Sequence, residues 1–368
     1  ELDHSPVLTP HGVLTGSFGV QYNNRRVSGV AFEEGADSLI DPAARTEMVA
    51  AFLYEELKVS PDLRLMGSLR YENSNLEGTG LVLTSPNSGV EVSNAPTFNP
   101  FSASIGLLYD LPHDVTMRMT AHHSERAPAD GELYSRGIHE ATGTFEIGDP
   151  FLTTEKANTL ELGFRRATGA FRFDTAAFYT RFDGFIFKGL TGLQCGDSLA
   201  TCGQPGEDEL DQVVFGQRDA TFYGLELAAE HDIDRLWRGV WGVAGQFDFV
   251  RAEFTNGDNV PRQPPPRLGG GVYYRDAEWI ARLNALQAFR QNFPGVNETP
   301  TPGYTLLNAE LSYTTTHSGH GHVLPQATIG IRGSNLLNDE VRYSTSFKKD
   351  EILWPGASVR LFGIVKLN

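Results

Sequence analysis

The sequence of 368 residues predicts an all-β fold, a transmembrane antiparallel β-barrel of about fourteen strands, and three observations carry that reading. Apolar and polar residues alternate along most of the chain. The alternating runs are about ten residues or longer, and the links between them are alternately short and long. From Val115 the chain reads Val-Thr-Met-Arg-Met-Thr-Ala-His, which puts Val115, Met117, Met119 and Ala121 on one face and Thr116, Arg118, Thr120 and His122 on the other. The last segment repeats the pattern, with Val359, Leu361, Gly363, Val365 and Leu367 opposite Arg360, Lys366 and Asn368.

On this template, strands fall at 11–24, 46–58, 63–77, 98–111, 115–128, 157–168, 171–189, 212–231, 240–256, 267–277, 279–292, 304–316, 327–343 and 357–368. Short turns such as Ser60-Pro61-Asp62, Pro112-His113-Asp114, Ala167-Thr168-Gly169 and Asp276-Ala277-Glu278 join some neighbours. Long links at 25–45, 78–97, 129–156, 190–211, 257–266, 293–303 and 344–356 join the others. Turns gathered at one end and loops at the other mark a membrane barrel. A soluble β-sandwich, the competing fold, has strands of about five or six residues and no reason to sort its loops by end.

Composition agrees. The chain carries 30 Lys+Arg and 46 Asp+Glu, a net charge of −16, which argues against a nucleic-acid partner and favours cationic guests. With 40% apolar and 11% aromatic residues it is too hydrophobic to be disordered. No run approaches the roughly 20 apolar residues of a spanning helix, but a barrel needs none because only alternate positions meet lipid. The chain opens at Glu1 without the basic and apolar regions of a secretory signal. Cys195 and Cys202 lie in a Gly/Asp/Pro-rich stretch, where a disulfide closing a short loop in an oxidising compartment stands against two free thiols.

Five motifs sit at strand–loop junctions: Leu152-Thr-Thr-Glu155-Lys156-Ala157-Asn158 through Gly163, Ala220-Thr-Phe222-Tyr223-Gly224-Leu-Glu226, Pro261-Arg-Gln-Pro264-Pro-Pro266-Arg267, Thr301-Pro302-Gly303-Tyr304 through Asn308, and Gly333-Ser-Asn335-Leu336-Leu337-Asn338-Asp339-Glu340. In order and spacing they resemble the C-terminal half of TonB-dependent outer-membrane receptors. His122-His123-Ser-Glu125-Arg126-Ala-Pro128, Glu132-Leu-Tyr134, Gly137-Ile-His139 and Ala-Thr142-Gly-Thr144-Phe145-Glu146-Ile-Gly148 look more specifically like the zinc-importing, ZnuD type of that superfamily. Gly16 to Tyr22 and Phe178 to Ile186 match as well. The resemblance implies a 22-stranded barrel filled by an N-terminal plug, so residues 1–368 read as the C-terminal barrel portion, without the plug and about eight strands. It implies the bacterial outer membrane, lipid and lipopolysaccharide as surroundings, and the TonB complex as a partner through the plug.

Catalytic signatures are missing, so no enzyme activity is expected, and metal capture is the chemistry to test. Zinc prefers imidazole and carboxylate where thiolates are absent. The 129–156 loop supplies Glu132, His139, Glu140, Glu146 and Asp149, and the parity of the preceding strand turns His122 towards the same mouth. Two readings of His139 stand, zinc ligand or surface histidine. The family often has a His just before the Leu of the Leu-x-x-Glu motif, and this sequence has Phe151 there. His317, His320 and His322 form the densest histidine cluster, at the turn end, where periplasmic metal handling competes with an inert polar turn. Acids at Glu33, Glu34, Asp37 and Asp41, and at Glu207, Asp208, Glu209 and Asp211, either concentrate cations or only keep their loops solvated. The functional expectation is uptake of zinc as cargo. The alternatives are a siderophore or haem receptor and a passive fourteen-stranded pore.

Overall fold

The computed structural model describes residues 1–29, 43–203, 210–315 and 326–366. Among the described residues, fourteen long strands follow one another: Gly12–Val27, Ala44–Lys58, Leu63–Ser85, Phe101–Leu111, Val115–Arg126, Glu155–Arg166, Phe171–Cys195, Leu210–Leu236, Gly239–Phe254, Arg267–Arg275, Trp279–Ala288, Tyr304–Thr314, Gln326–Ser334 and Ser358–Lys366. Each pairs antiparallel with the next. This is the expected meander, with long loops at one end of the sheet and tight turns at the other.

Cross-strand register converts sequence alternation into two surfaces. Leu57, Leu65, Leu107, Met119, Leu162, Ala177 and Leu225 stand side by side in one row across seven strands. Leu65, Met119, Leu162 and Leu225 in this row are exposed, a costly arrangement in water and the favourable one against acyl chains. The opposite face carries ion pairs, such as Arg118 with Glu161 and Asp174 (each 3.4 Å) and Arg172 with Asp232 (2.9 Å). Exposed aromatic residues bracket the apolar face, with Tyr22, Tyr71, Tyr179 and Tyr223 nearer the loops and Trp237 and Trp279 at the turns.

The elements depart from the expected boundaries for local reasons. Leu2–Asp3 and Val7–Thr9 already pair with Gly12–Val27, a strand interrupted around Pro6, which has no N–H to give. The 78–97 link is partly a hairpin, because Leu63–Ser85 continues outward and pairs with Ser88–Asn94. The strand expected from residue 98 does start there, as Thr97–Phe98 pairs with Asn75 and Ser74, but it breaks at Pro100 and resumes at Phe101. The strand expected at 327–343 stops at Ser334. There Asn335 and Asn338 take left-handed φ values of 49° and 53°, and the Asn335 amide donates to the Asp339 carbonyl and accepts from its N–H (each 3.0 Å). Among the described residues no register joins Gly12–Val27 to Ser358–Lys366, so the fourteen strands form an open arc.

Candidate ligand site in the long loops

The 127–154 loop is built inward from its ends. Glu132, in the short helix Asp130–Tyr134, accepts from the Ala129 N–H (2.8 Å) and grips the Arg126 guanidinium with both oxygens (2.8 and 3.1 Å). Arg126 also holds Glu155, whose other task is to accept the Ile186 N–H (2.7 Å) beside a bulge. Gly184, with φ of 68°, supplies the left-handed residue that this bulge needs. Leu133 and Tyr134 are fully buried against Leu76, Phe98, Leu152, Ile186 and Phe215, and this apolar cluster ties the loop to distant strands.

A hairpin, Arg136–His139 with Thr144–Ile147, carries the two principal candidates. Its second strand pairs parallel with Asp211–Val214, an edge of the outward extension of Leu210–Leu236. His139 Nδ1 lies 2.7 Å from Glu146 Oε1. Lys188 Nζ donates to both oxygens of the same carboxylate (2.7 and 2.6 Å), and the Thr144 hydroxyl donates to it at 3.2 Å. The Glu146 side chain is only 4% exposed. Burial alone would raise its pKa, but Lys188 and His139 outweigh burial and hold it below the usual carboxylate range.

Cations and rings continue the cluster. Lys188 Nζ is 5.1 Å from the centre of the Phe215 ring and 5.9 Å from that of Phe347. On Phe347 also lies the Arg262 guanidinium, at 4.0 Å, donating one Nη to the Lys188 carbonyl (2.8 Å). Its other Nη is buried without a hydrogen-bond partner, and the nearest carboxylate, Glu298, is 3.6 Å away. Burial lowers the Arg262 pKa against the opposing pull of Glu298 and Glu146. Gln263 extends the backbone pattern with its side chain, accepting from the Ala252 N–H (2.7 Å) and donating to the Ala252 and Val260 carbonyls (2.7 and 2.8 Å). From the 335–357 loop, Ser344 donates to the Gln263 carbonyl and Lys348 to the Glu140 carbonyl.

Among the described residues, His139 and Glu146 are the expected metal residues that come together. Glu132 serves the helix start and Arg126, while Glu140 is exposed and engages Lys348 through its carbonyl. Asp149 accepts the Phe151 N–H in a turn (2.9 Å), and His122 stays in the strand opposite Ser104 and Thr159. Among the described residues no group of three or more His, Cys, Asp or Glu could hold a metal ion. His317, His320 and His322 lie outside the described residues, as do Glu33, Glu34, Asp37, Asp41, Glu207, Asp208 and Glu209. Cys195 and Cys202 are disulfide-bonded and pack with Phe145 and Ile147, which flank Glu146. Sequence reasoning gave no role to Lys188, Arg262, Glu298 or Phe347. The Pro-Arg-Gln-Pro run flagged the loop carrying Arg262 but not its use.

The model of the family described as TonB dependent receptor-like, beta-barrel matches residues 2–336. This chain belongs to that family. The receptor barrel is a bacterial outer-membrane protein, and its tight turns face the periplasm. Over 289 residues it is 22% identical to the rhizobactin receptor of Rhizobium meliloti, covering 72% of this chain but only 36% of that receptor. Among solved structures, the copper transporter OprC superposes with a TM-score of 0.72 at 16% identity, covering 98% of this chain and 56% of that one. The hemophore receptor HasR of Serratia marcescens, solved with its hemophore and haem, gives 0.67 at 16% identity, with 98% and 56% covered. The barrel therefore spans about a third to a half of the length of these proteins, and the likeness to the two solved structures is one of fold.

Proposed function

We propose that this chain is the barrel portion of a TonB-dependent receptor that takes up an anionic metal chelate of the siderophore or haem kind, a transport role without catalysis. One observation carries the choice of cargo. The loop cluster pairs cations with ring faces, Lys188 and Arg262 around Phe347 and Arg218 near Phe187 and Phe254, while its buried carboxylate Glu146 is already neutralised by Lys188. Guanidinium and aromatic surfaces suit a delocalised anion with ring or carboxylate groups, whereas a bare Zn²⁺ needs converging donors at about 2.0–2.2 Å. The similarity to the rhizobactin receptor supports this reading.

Zinc as cargo remains the second reading, favoured by the His139–Glu146 contact of 2.7 Å. It requires Lys188 to leave the carboxylate and further ligands to join. Energised release through the TonB complex, and contact with lipopolysaccharide around the rim, belong to either proposal. Calorimetry on the full receptor separates the two. The chelate reading expects a ferric chelate to bind with an affinity lowered by Arg262→Ala, and Zn²⁺ alone to give no heat of binding. Saturable zinc binding abolished by His139→Ala, with no response to chelates, would overturn it.

A further inference from the structure

The lipid-facing surface at the turn end holds a feature that cargo transport does not use. Between the turn at Leu236–Gly239 and the turn at 276–278 lies a groove of about 500 Å³, floored by Ala281 and Leu311. Ala281 stands in register with Tyr274 and Leu311, and Leu311 with the exposed Ile331, so the groove opens on the acyl-chain side of the sheet. Its rim is aromatic. Trp237 is 89% exposed and holds a left-handed φ of 53°, a conformation bulky residues seldom adopt, and its ring meets Tyr274 edge-on at 6.1 Å. Trp279 packs against Tyr313 at 4.9 Å on the other side.

Charges of both signs share this rim, with Arg238 on one turn and Asp276 and Glu278 on the other. Asp276 is fixed in place, accepting from the Tyr274 hydroxyl (2.7 Å) and from the N–H groups of Glu278 (2.8 Å) and Trp279 (2.6 Å). A ring-lined groove at the membrane interface with one cation, two carboxylates and an apolar floor is complementary to a zwitterion carrying acyl chains. We propose that this groove binds the headgroup of a periplasmic-leaflet phospholipid with a primary ammonium, its phosphate on Arg238, its ammonium at Asp276, Glu278 and the Trp237 ring, and its chain on Ala281 and Leu311. An ammonium on an indole face and a phosphate on a guanidinium are both favourable pairings, and they strengthen as water is excluded. An anionic lipid satisfies Arg238 but meets the two carboxylates. The assignment rests on the membrane level of the turns and is independent of the cargo reading.

Native mass spectrometry of the full receptor in detergent, with phosphatidylethanolamine or phosphatidylglycerol of identical chains added, tests it. The ethanolamine lipid is expected to be retained about tenfold more. Arg238→Gln should weaken both lipids. Glu278→Gln should weaken only the ethanolamine lipid and so narrow the ratio. Equal retention of the two lipids by the unaltered receptor overturns the proposal without any variant, as does a ratio unchanged in both variants.

Discussion

The barrel wall and the loop mouth satisfy their polar groups in different ways. In the wall, the backbone groups of an inner strand find their partners on its two neighbours and each side chain has one of two environments, so the row from Leu57 to Leu225 needs only correct alternation. In the mouth, partners come from far along the chain. Glu146 depends on Lys188, Arg262 on Phe347, and Lys348 on the carbonyl of Glu140. The wall is redundant, and the mouth relies on a few specific contacts among buried charges. A substitution in the wall is therefore shared over many neighbours, while one in the mouth leaves a specific group stranded.

The largest effect should come from breaking the mouth at its buried carboxylate. Glu146→Ala leaves the Lys188 ammonium among Phe215 and Phe347 without a counter-charge, at a cost of about 3–5 kcal/mol to the local fold. Limited proteolysis should then cut within 136–147 faster than in the unaltered receptor, and adding Lys188→Met should restore much of the protection. Equal cutting rates would mean that the ion pair does not hold the hairpin.

In the wall, Leu162→Arg puts a charge on the lipid face and should cost about 2–4 kcal/mol in urea unfolding from lipid vesicles. Thr120→Val, on the opposite face, should cost far less. A reversal of that order would exchange the two faces of the sheet. Gln263→Ala removes three hydrogen bonds to backbone groups around Ala252 and should destabilise by about 2 kcal/mol. Hydrogen exchange would show the loss at 252–263 and leave Val115–Arg126 unchanged.

Acid should distinguish the regions more gently. Because the Glu146 pKa is lowered on folding, its contribution is fully present above the ordinary carboxylate range and fades as pH falls through that lowered value. Exchange protection of residues 136–147 should thus decline in strong acid before that of the wall, and stay flat from mildly acidic to neutral pH. Arg25→Ala, which removes a pair between the exposed Arg25 and the half-buried Asp130 at 3.6 Å, is the smallest change and should alter neither region measurably.

Much of the wall was legible because a strand has a period of two and a membrane imposes one sign of polarity on each face. Val115 to His122 shows this, since the face written in the sequence is the one found. Legibility ended where Pro and Asn interrupt the alternation, at Pro6, Pro100 and Asn335, and where a loop pairs with itself, at Ser88–Asn94. For the site, a resemblance in one loop named His139 and Glu146 among the expected ligands, and the structure brings these two side chains together. Lys188 and Arg262 were not named, since they lie 42 and 116 residues beyond Glu146 and reach it only through the third dimension.

Sequence by itself determined the all-β meander, the two faces of each strand, the sorting of turns and loops to opposite ends, and the superfamily motifs, all of which are local patterns. Only the tertiary structure decided that the buried carboxylate of the candidate site meets an ammonium ion, that Arg262 stacks on Phe347, and that two distant turns frame a groove on the lipid side. Those outcomes depend on which residues the cross-strand registers and the long loops bring together, and no periodicity in a single chain encodes that.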